Sequence, residues 1–300
     1  MTMKFRKLGK TGLRVSELGF GTSHLNEIGK KDATSLLEHA IGLGINIIDT
    51  ADIYGHGSTE KVIGNIRSDF NNIIIITKIG TNFYDKKGDH DLTRSYLDMA
   101  IDRSLSRLKR KTLDILLLHS PPKSLKSFLE VLNFVTDMKL SQKINYWGIS
   151  AITPSDFLPF ESYLNELDVV EISYSFVYQE PASLFSLLQK HNIGIIAKEV
   201  LHNGALLRRE TVQGFSNKRI HKLPQNLFDE IIDEIANFVG PTFDYKKILS
   251  YAIGFVLYDQ RISTALLGTS SLKHLNEAIN AYNIKTVGDR IYPLLKEWCR

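Results

Sequence analysis

Gly44-Ile45-Asn46-Ile47-Ile48-Asp49-Thr50-Ala51-Asp52-Ile53-Tyr54-Gly55 joins a short apolar run to a polar loop. Asn46–Asp49 reads as a strand without the alternation of a half-wet sheet, so both of its faces should be covered. Gly44 closes the amphipathic stretch Asp32–Leu43, at the place a C-capping glycine takes. Ser58–Ile66 resumes helical spacing after the loop. Helix, tight turn, buried strand, loop and helix in succession describe a parallel βαβ unit.

The same unit recurs in both directions. Strands are expected at Leu18–Gly21, Asn46–Asp49, Ile73–Lys78, Leu113–His119, Tyr146–Ser150, Val169–Ser173, Gly194–Lys198 and Thr264–Gly268. Between them lie helical stretches at Leu92–Leu108, Lys123–Met138, Pro154–Leu164 and Ala182–Lys190. A helix pair, Asn226–Val239 and Tyr245–Leu257, precedes the eighth strand; Ser271–Tyr282 and Ile291–Trp298 follow it. Residues 3–16 stand apart as a hairpin, with Lys10-Thr11-Gly12 at its turn. Eight units favour closure over an open sheet, so the α/β chain is predicted to be a (β/α)8 TIM barrel with an N-terminal β-hairpin at its floor. No linker or low-complexity tract divides residues 1–300, which are expected to form one domain. The Gly/Asn/Arg-rich stretch 202–222 is the expected long loop at the active face.

Composition narrows the function classes. The chain of 300 residues is 43% hydrophobic and 23% charged, enough to bury a large core without a metal or disulfide staple. Its one cysteine, Cys299, allows no internal disulfide and fits a reducing compartment. A net charge of +4 points to neither nucleic acid nor membrane. The opening residues MTMKFRKLGK lack the apolar core of a signal peptide. The longest aliphatic run, Ile73–Ile76, is far short of the ~20 residues a membrane span needs. A cytoplasmic protein is expected; oligomeric state leaves no trace.

A parallel barrel presents its reacting groups at the C-terminal ends of its strands. Strand two ends in Asp49, with Tyr54 five residues on; strand three ends in Lys78, strand four in His119, strand five in Gly148-Ile149-Ser150. Each alone has an ordinary structural explanation. Together at successive strand ends they are the parts needed to protonate a carbonyl oxygen while hydride arrives at carbon. A phenol titrates near pKa ~10, and an adjacent ammonium favours its anion. A carboxylate holds the ammonium, and a neutral imidazole orients the substrate oxygen.

Residues 44–55, with Gly57-Ser58-Thr59-Glu60 and Gly64, closely resemble the aldo-keto reductase signature. Ser104-Leu105-Ser106-Arg107-Leu108, Asp114 and Leu118-His119-Ser120-Pro121 resemble further family motifs, as do the hairpin and Leu18-Gly-Phe-Gly-Thr22. The similarity runs from about residue 4 to about residue 282. It implies an NAD(P)(H)-dependent oxidoreductase acting on a small carbonyl or alcohol, with Tyr54 as general acid/base, Lys78 lowering its pKa, Asp49 pairing with Lys78 and His119 positioning the carbonyl. It implies a dinucleotide held by Gly21, Thr22, Asp49, Ser150, Glu171, Lys198, Leu201, Gly268, Thr269, Ser270, His274 and Glu277, with NADP(H) favoured over NAD(H). The chain departs from the family pattern at Ala151, where Asn is common, at Glu171, where Gln is common, and at Lys198, where an aromatic is common. His274 and Ala278 replace a frequent Arg or Gln and a frequent Asn. Lys273 or His274 could meet a 2′-phosphate. His24, Phe83 and residues 202–222 are the expected substrate-lining positions.

Rival readings fare worse. Gly19-Phe-Gly21 does not complete a Rossmann fingerprint, because His24 stands where the third glycine belongs. Tyr292 and Lys296, four apart, lie beyond the eighth strand and its helix. Asp49, Asp52 and His119 could be imagined as metal ligands, but no His-x-His pair accompanies them, and a Schiff-base role for Lys78 conflicts with Asp49. A non-catalytic cofactor-binding barrel, acting as a sensor or channel-associated subunit, is the alternative that the departures at 151, 171 and 198 favour.

Overall fold

The computed structural model describes residues 3–66, 72–84, 88–207, 245–284 and 292. Eight parallel strands close into a barrel in chain order: β3 (Leu18–Gly21), β4 (Ile47–Asp49), β5 (Ile74–Ile79), β8 (Leu113–Leu118), β9 (Ile144–Ala151), β10 (Val169–Ser173), β11 (Gly194–Lys198) and β12 (Ile262–Gly268). The cylinder shuts where β12 pairs with β3, Ala265 opposite Leu18 and Gly268 opposite Gly21. The expected barrel and its floor hairpin are both present. β3, β10 and β11 have the boundaries expected from the sequence, and the other five strands differ by one or two residues at one end or both.

The hairpin pairs β1 (Phe5–Lys7) antiparallel with β2 (Arg14–Ser16). Gly12, at φ +75°, permits its turn. Leu8 and Val15 pack with Ile47, Ile74, Ile76, Ile115, Leu117, Val169, Ile196 and Leu266, the inward-facing residues of the strands. They plug the floor. Arg6 ties the hairpin to the far side of the chain by donating to Glu17 and to the carbonyl oxygens of Leu257, Asp259 and Ile262.

Helices α1 (Lys30–Gly42), α2 (Ser58–Ile63), α3 (Arg94–Leu108), α4 (Leu125–Leu140), α5 (Ala182–Lys190), α6 (Tyr245–Tyr258) and α7 (Leu272–Ile284) wrap the outside. Outward residues such as Ile48, Ile75, Leu116, Ile149 and Ile172 join their inner faces in the main core. Two details differ from the sequence reading. Residues Pro154–Glu166 form 3-10 turns rather than an α-helix, because Pro159 lies inside and Phe160 breaks the helical dihedrals. A small antiparallel pair, β6 (Thr81–Asn82) with β7 (Asp89–His90), follows β5 unannounced by any long strand pattern. The expected helix 226–239, the expected helix 291–298 apart from Tyr292, and Cys299 lie outside the described residues. Among the described residues, no helix is long and apolar enough to cross a membrane.

Candidate active site

Side chains alternate along each strand, so whichever position faces inward fixes the rest by steps of two. Ile47, Ile76, Val169 and Ile196 belong to the barrel interior. Two residues further on stand Asp49, Lys78, Glu171 and Lys198. The same step carries Leu117 to His119, Gly148 to Ser150 and Leu266 to Gly268. The aliphatic interior is therefore capped by a single layer of charged, hydroxyl-bearing and glycine positions at the C-terminal mouth.

Lys78 is the centre of that layer. Only 1% of its surface is exposed, and it donates to Asp49 and, at 3.1 Å, to the Thr50 carbonyl oxygen. Its ammonium also lies 3.3 Å from Glu171 Oε2. Burial works against that charge, but Asp49 and Glu171 outweigh it and lift the pKa above the ordinary lysine range. Glu171 has a second cation: Lys198 Nζ is 3.6 Å from its Oε1. Ser150 bridges the two, accepting from Lys198 at 2.6 Å and donating to Glu171 at 2.9 Å. Burial pushes the Glu171 carboxyl up, but the two ammoniums more than reverse this and hold it at about 2. Asp49 lacks the second cation. Burial and the neighbouring Glu171 charge push it up against the pull of Lys78.

Tyr54 reaches this layer from a loop with unusual backbone. Gly55, His56 and Gly57 all have positive φ, at 54°, 51° and 82°. His56 bears that strain as a side-chain-carrying residue. The loop is pinned from beneath. A Cβ on Gly57 would sit 2.8 Å from the Arg107 side chain, so only glycine fits over that guanidinium. Arg107 in turn donates to Glu60 Oε2 at 2.6 Å and to the Tyr84 hydroxyl at 2.9 Å, while Thr77 donates to Glu60 Oε1 at 2.6 Å. The result brings the Tyr54 ring centroid to 5.6 Å from the Lys78 ammonium. The His119 ring meets the Tyr54 ring edge-on at 5.9 Å. Asp49, Tyr54, Lys78 and His119 are thus gathered in one place.

The expected cofactor residues divide by position. Ser150, Glu171 and Lys198 form the polar bridge just described. Gly21 and Gly268 lie side by side at the mouth, where a Cβ on Gly268 would come within 3.2 Å of the Gly21 carbonyl oxygen. Thr22 is fully buried, and its hydroxyl donates to the Asp49 carbonyl oxygen, bracing β4 from the side. Thr269 and Ser270 lead into α7, where Thr269 Oγ1 accepts from the Ser271 backbone. His274 is exposed on the first turn of α7; Glu277, one turn on, accepts from the Tyr245 hydroxyl. Leu201 packs partly against the core at the entry to the 3-10 turn His202–Leu207. The rest of the expected loop, residues 208–222, lies outside the described residues.

Sequence reasoning missed Ser173, one inward step above Glu171 on β10. Its hydroxyl is buried with no hydrogen-bond partner among the described residues. It also missed the buried Glu60–Arg107 pair, and it weighed Asp52 only as a metal ligand; burial and Glu60 push that buried carboxyl up to about 8. Strand parity could have found Ser173. Glu60 and Arg107 sit on different helices, and no periodicity within either reveals the pairing. Among the described residues, no cluster of His, Cys, Asp or Glu could hold a metal ion.

A mouth of bare backbone at two adjacent strand ends, an open buried hydroxyl at Ser173, and a helix N-terminus at Ser271 fit an extended, phosphate-bearing cofactor. Residues 17–294 match the model of the Aldo/keto reductase family. The chain belongs to that family. Over 94% of the chain and 92% of the relative, this aldo-keto reductase is 29% identical to the uncharacterized oxidoreductase YqkF of Bacillus subtilis. A probable voltage-gated potassium channel subunit beta of Arabidopsis thaliana is 24% identical over 94% of the chain and 92% of its own length. The solved holo form of aldo-keto reductase AKR11C1 from Bacillus halodurans superposes with a TM-score of 0.83 at 26% identity, covering 99% of this chain and 97% of that one. This aldo-keto reductase is an NAD(P)H-dependent oxidoreductase acting on a small molecule.

Proposed function

We propose that Tyr54 is the general acid/base of this reductase and that residues 1–300 act as one catalytic domain. The observation that supports the reading is the placement of the Tyr54 ring against both the Lys78 ammonium and the His119 imidazole. Hydride comes from the reduced nicotinamide when it is bound. The protein's share is to hold the substrate oxygen and move a proton. The Lys78 charge favours loss of the Tyr54 proton, so the phenol donates to the developing alkoxide in reduction, and the phenolate accepts from the alcohol in oxidation. His119, packed edge-on against Tyr54, orients that oxygen. Asp49 fixes the Lys78 ammonium, and Thr22 fixes the strand end that carries Asp49.

Gly21, Gly268, Thr269, Ser270 and the start of α7 would hold the cofactor phosphates, with Ser150, Glu171, Ser173 and Lys198 near the nicotinamide. Lys273 and His274, exposed on the first turn of α7, favour NADP(H) over NAD(H) through its extra phosphate. Phe83, tilted against Tyr84 with ring centroids 4.0 Å apart and beside His56 at 5.5 Å, offers an apolar wall to the substrate. Tyr54→Phe keeps the ring and removes the proton. It is expected to lower kcat roughly 10²–10⁴-fold while cofactor affinity, read by tryptophan fluorescence quenching, stays near wild type. Wild-type turnover in this variant, measured with NADPH and a panel of aldehydes, would refute the assignment.

A further inference from the structure

Four charges run in an unbroken line across the mouth: Asp49, Lys78, Glu171, Lys198. The first pair suffices for the chemistry proposed above. The second pair needs its own explanation, because burying a carboxylate beside the catalytic ammonium works against the role of that ammonium. A negative charge 3.3 Å from Lys78 offsets much of the positive field that Tyr54 would otherwise feel. Lys198 changes the balance. It sits 3.6 Å from the other oxygen of the same carboxylate and reaches it again through the Ser150 hydroxyl.

We propose that Lys198 is a positioning residue of the acid–base centre: by balancing Glu171, it leaves the Lys78 ammonium to Asp49 and Tyr54. The inference rests on the role of Tyr54 proposed above and extends it to a residue that need not touch the reacting atoms. The titratable groups facing Lys78 are Asp49 from β4, Tyr54 from the following loop, and Glu171 from β10; Lys198 faces Glu171 from β11, and His119 faces Tyr54 from the end of β8. Deleting the Lys198 charge leaves two carboxylates competing for one ammonium. Tyr54 then feels a less positive surrounding and holds its proton to higher pH. Deleting the Glu171 charge does the opposite. Removing both restores the original sum.

The test is a tyrosinate titration by ultraviolet difference absorbance on the cofactor-free protein, with Tyr54→Phe as the blank, alongside pH profiles of kcat. Lys198→Met is expected to move the Tyr54 titration up by about one pH unit, and Glu171→Gln down by a similar amount. The double variant should return the Tyr54 titration close to its wild-type position, and Lys198→Arg, which keeps the charge, should leave that titration in place. Should Lys198→Met fail to fold, Lys198→Gln, which keeps a polar group beside the Ser150 hydroxyl, takes its place with the same upward shift expected. An unmoved titration in either single variant overturns the proposal. So does a Lys198→Met variant that loses only cofactor affinity, or shifts that add rather than cancel in the double variant. If instead Tyr54→Phe itself keeps full activity, the acid/base reading fails and not merely its extension.

Discussion

Two layers of the same cylinder, one inward step apart on every strand, carry opposite chemistry. The lower one holds Ile47, Ile76, Leu117, Val169, Ile196 and Leu266, sealed beneath by Leu8 and Val15 of the hairpin. The upper one holds Asp49, Lys78, His119, Glu171 and Lys198. Backbone geometry and pairing run through both without interruption. What separates a structural floor from a reactive mouth is residue type at one parity of the strand. A dry aliphatic layer directly beneath also keeps water from the charges, which strengthens every interaction among them.

The sharpest way to break that contrast is to remove the charge at the centre of the mouth. Lys78→Met is expected to lower kcat by roughly 10²–10⁴-fold, because an unassisted phenol is a poor acid at neutral pH. It also leaves Asp49 and Glu171 buried without their shared ammonium, costing about 3–5 kcal/mol at neutral pH. The sign of the Glu171 contribution to the pH response should reverse with it. In the wild type Glu171 is depressed from 4.5 to about 2, so its stabilisation is present above 4.5 and is lost as pH falls towards about 2. In the variant Glu171 should join Asp49, already pushed up in the wild type, above its unfolded value, so melting temperature should increase more steeply than in the wild type as pH is lowered from neutrality. Thermal melts of both proteins across pH 4–8 check this; a variant that gains no more on acidification than the wild type would contradict the shared-ammonium picture.

The matching experiment on the floor is Leu8→Ala. It opens a cavity in a fully buried cluster and should cost about 2–5 kcal/mol in denaturant unfolding, with kcat close to wild type. A large loss of kcat at unchanged stability would mean that the floor and the mouth are coupled more tightly than their packing indicates.

The smallest effect concerns Asp52, behind the Tyr54 loop. Its carboxyl rises from 3.8 to about 8, so the folded state is progressively penalised as pH increases between those values. Asp52→Asn keeps an acceptor for the Tyr96 hydroxyl, 3.4 Å away, and removes the titration. The variant should gain a few degrees in melting temperature at pH ~8.5 relative to wild type and little near pH ~4, at about 2–4 °C per kcal/mol. Equal gains at both pH values would exclude titration as the cause.

Much of this contrast was legible in the sequence. β10 and β11 were readable to the residue because turn residues bound short β-branched runs. Asp49, Tyr54, Lys78 and His119 stood out because reactive side chains at successive strand ends converge in any closed parallel barrel. The line from Asp49 to Lys198 was visible only as departures from a family pattern, since the pairing of Glu171 with Lys198 depends on β10 lying beside β11 in register. Glu60 and Arg107, which hold the Tyr54 loop, meet through tertiary packing of α2 against α3. Pro159 altered the helix at 154–166 through a local steric effect that amphipathic spacing does not report.

The seam between β12 and β3 has a consequence for how the molecule is made. Leu18–Gly21 finds its second neighbour only in Ala265–Gly268, and Arg6 reaches carbonyls at 257–262. A nascent chain emerging from the ribosome therefore carries an unpaired strand edge until almost the last βα unit has been synthesised. Ribosome-stalled or truncated products lacking residues beyond 260 should expose that edge and recruit chaperones, whereas losses confined to the helical exterior should not.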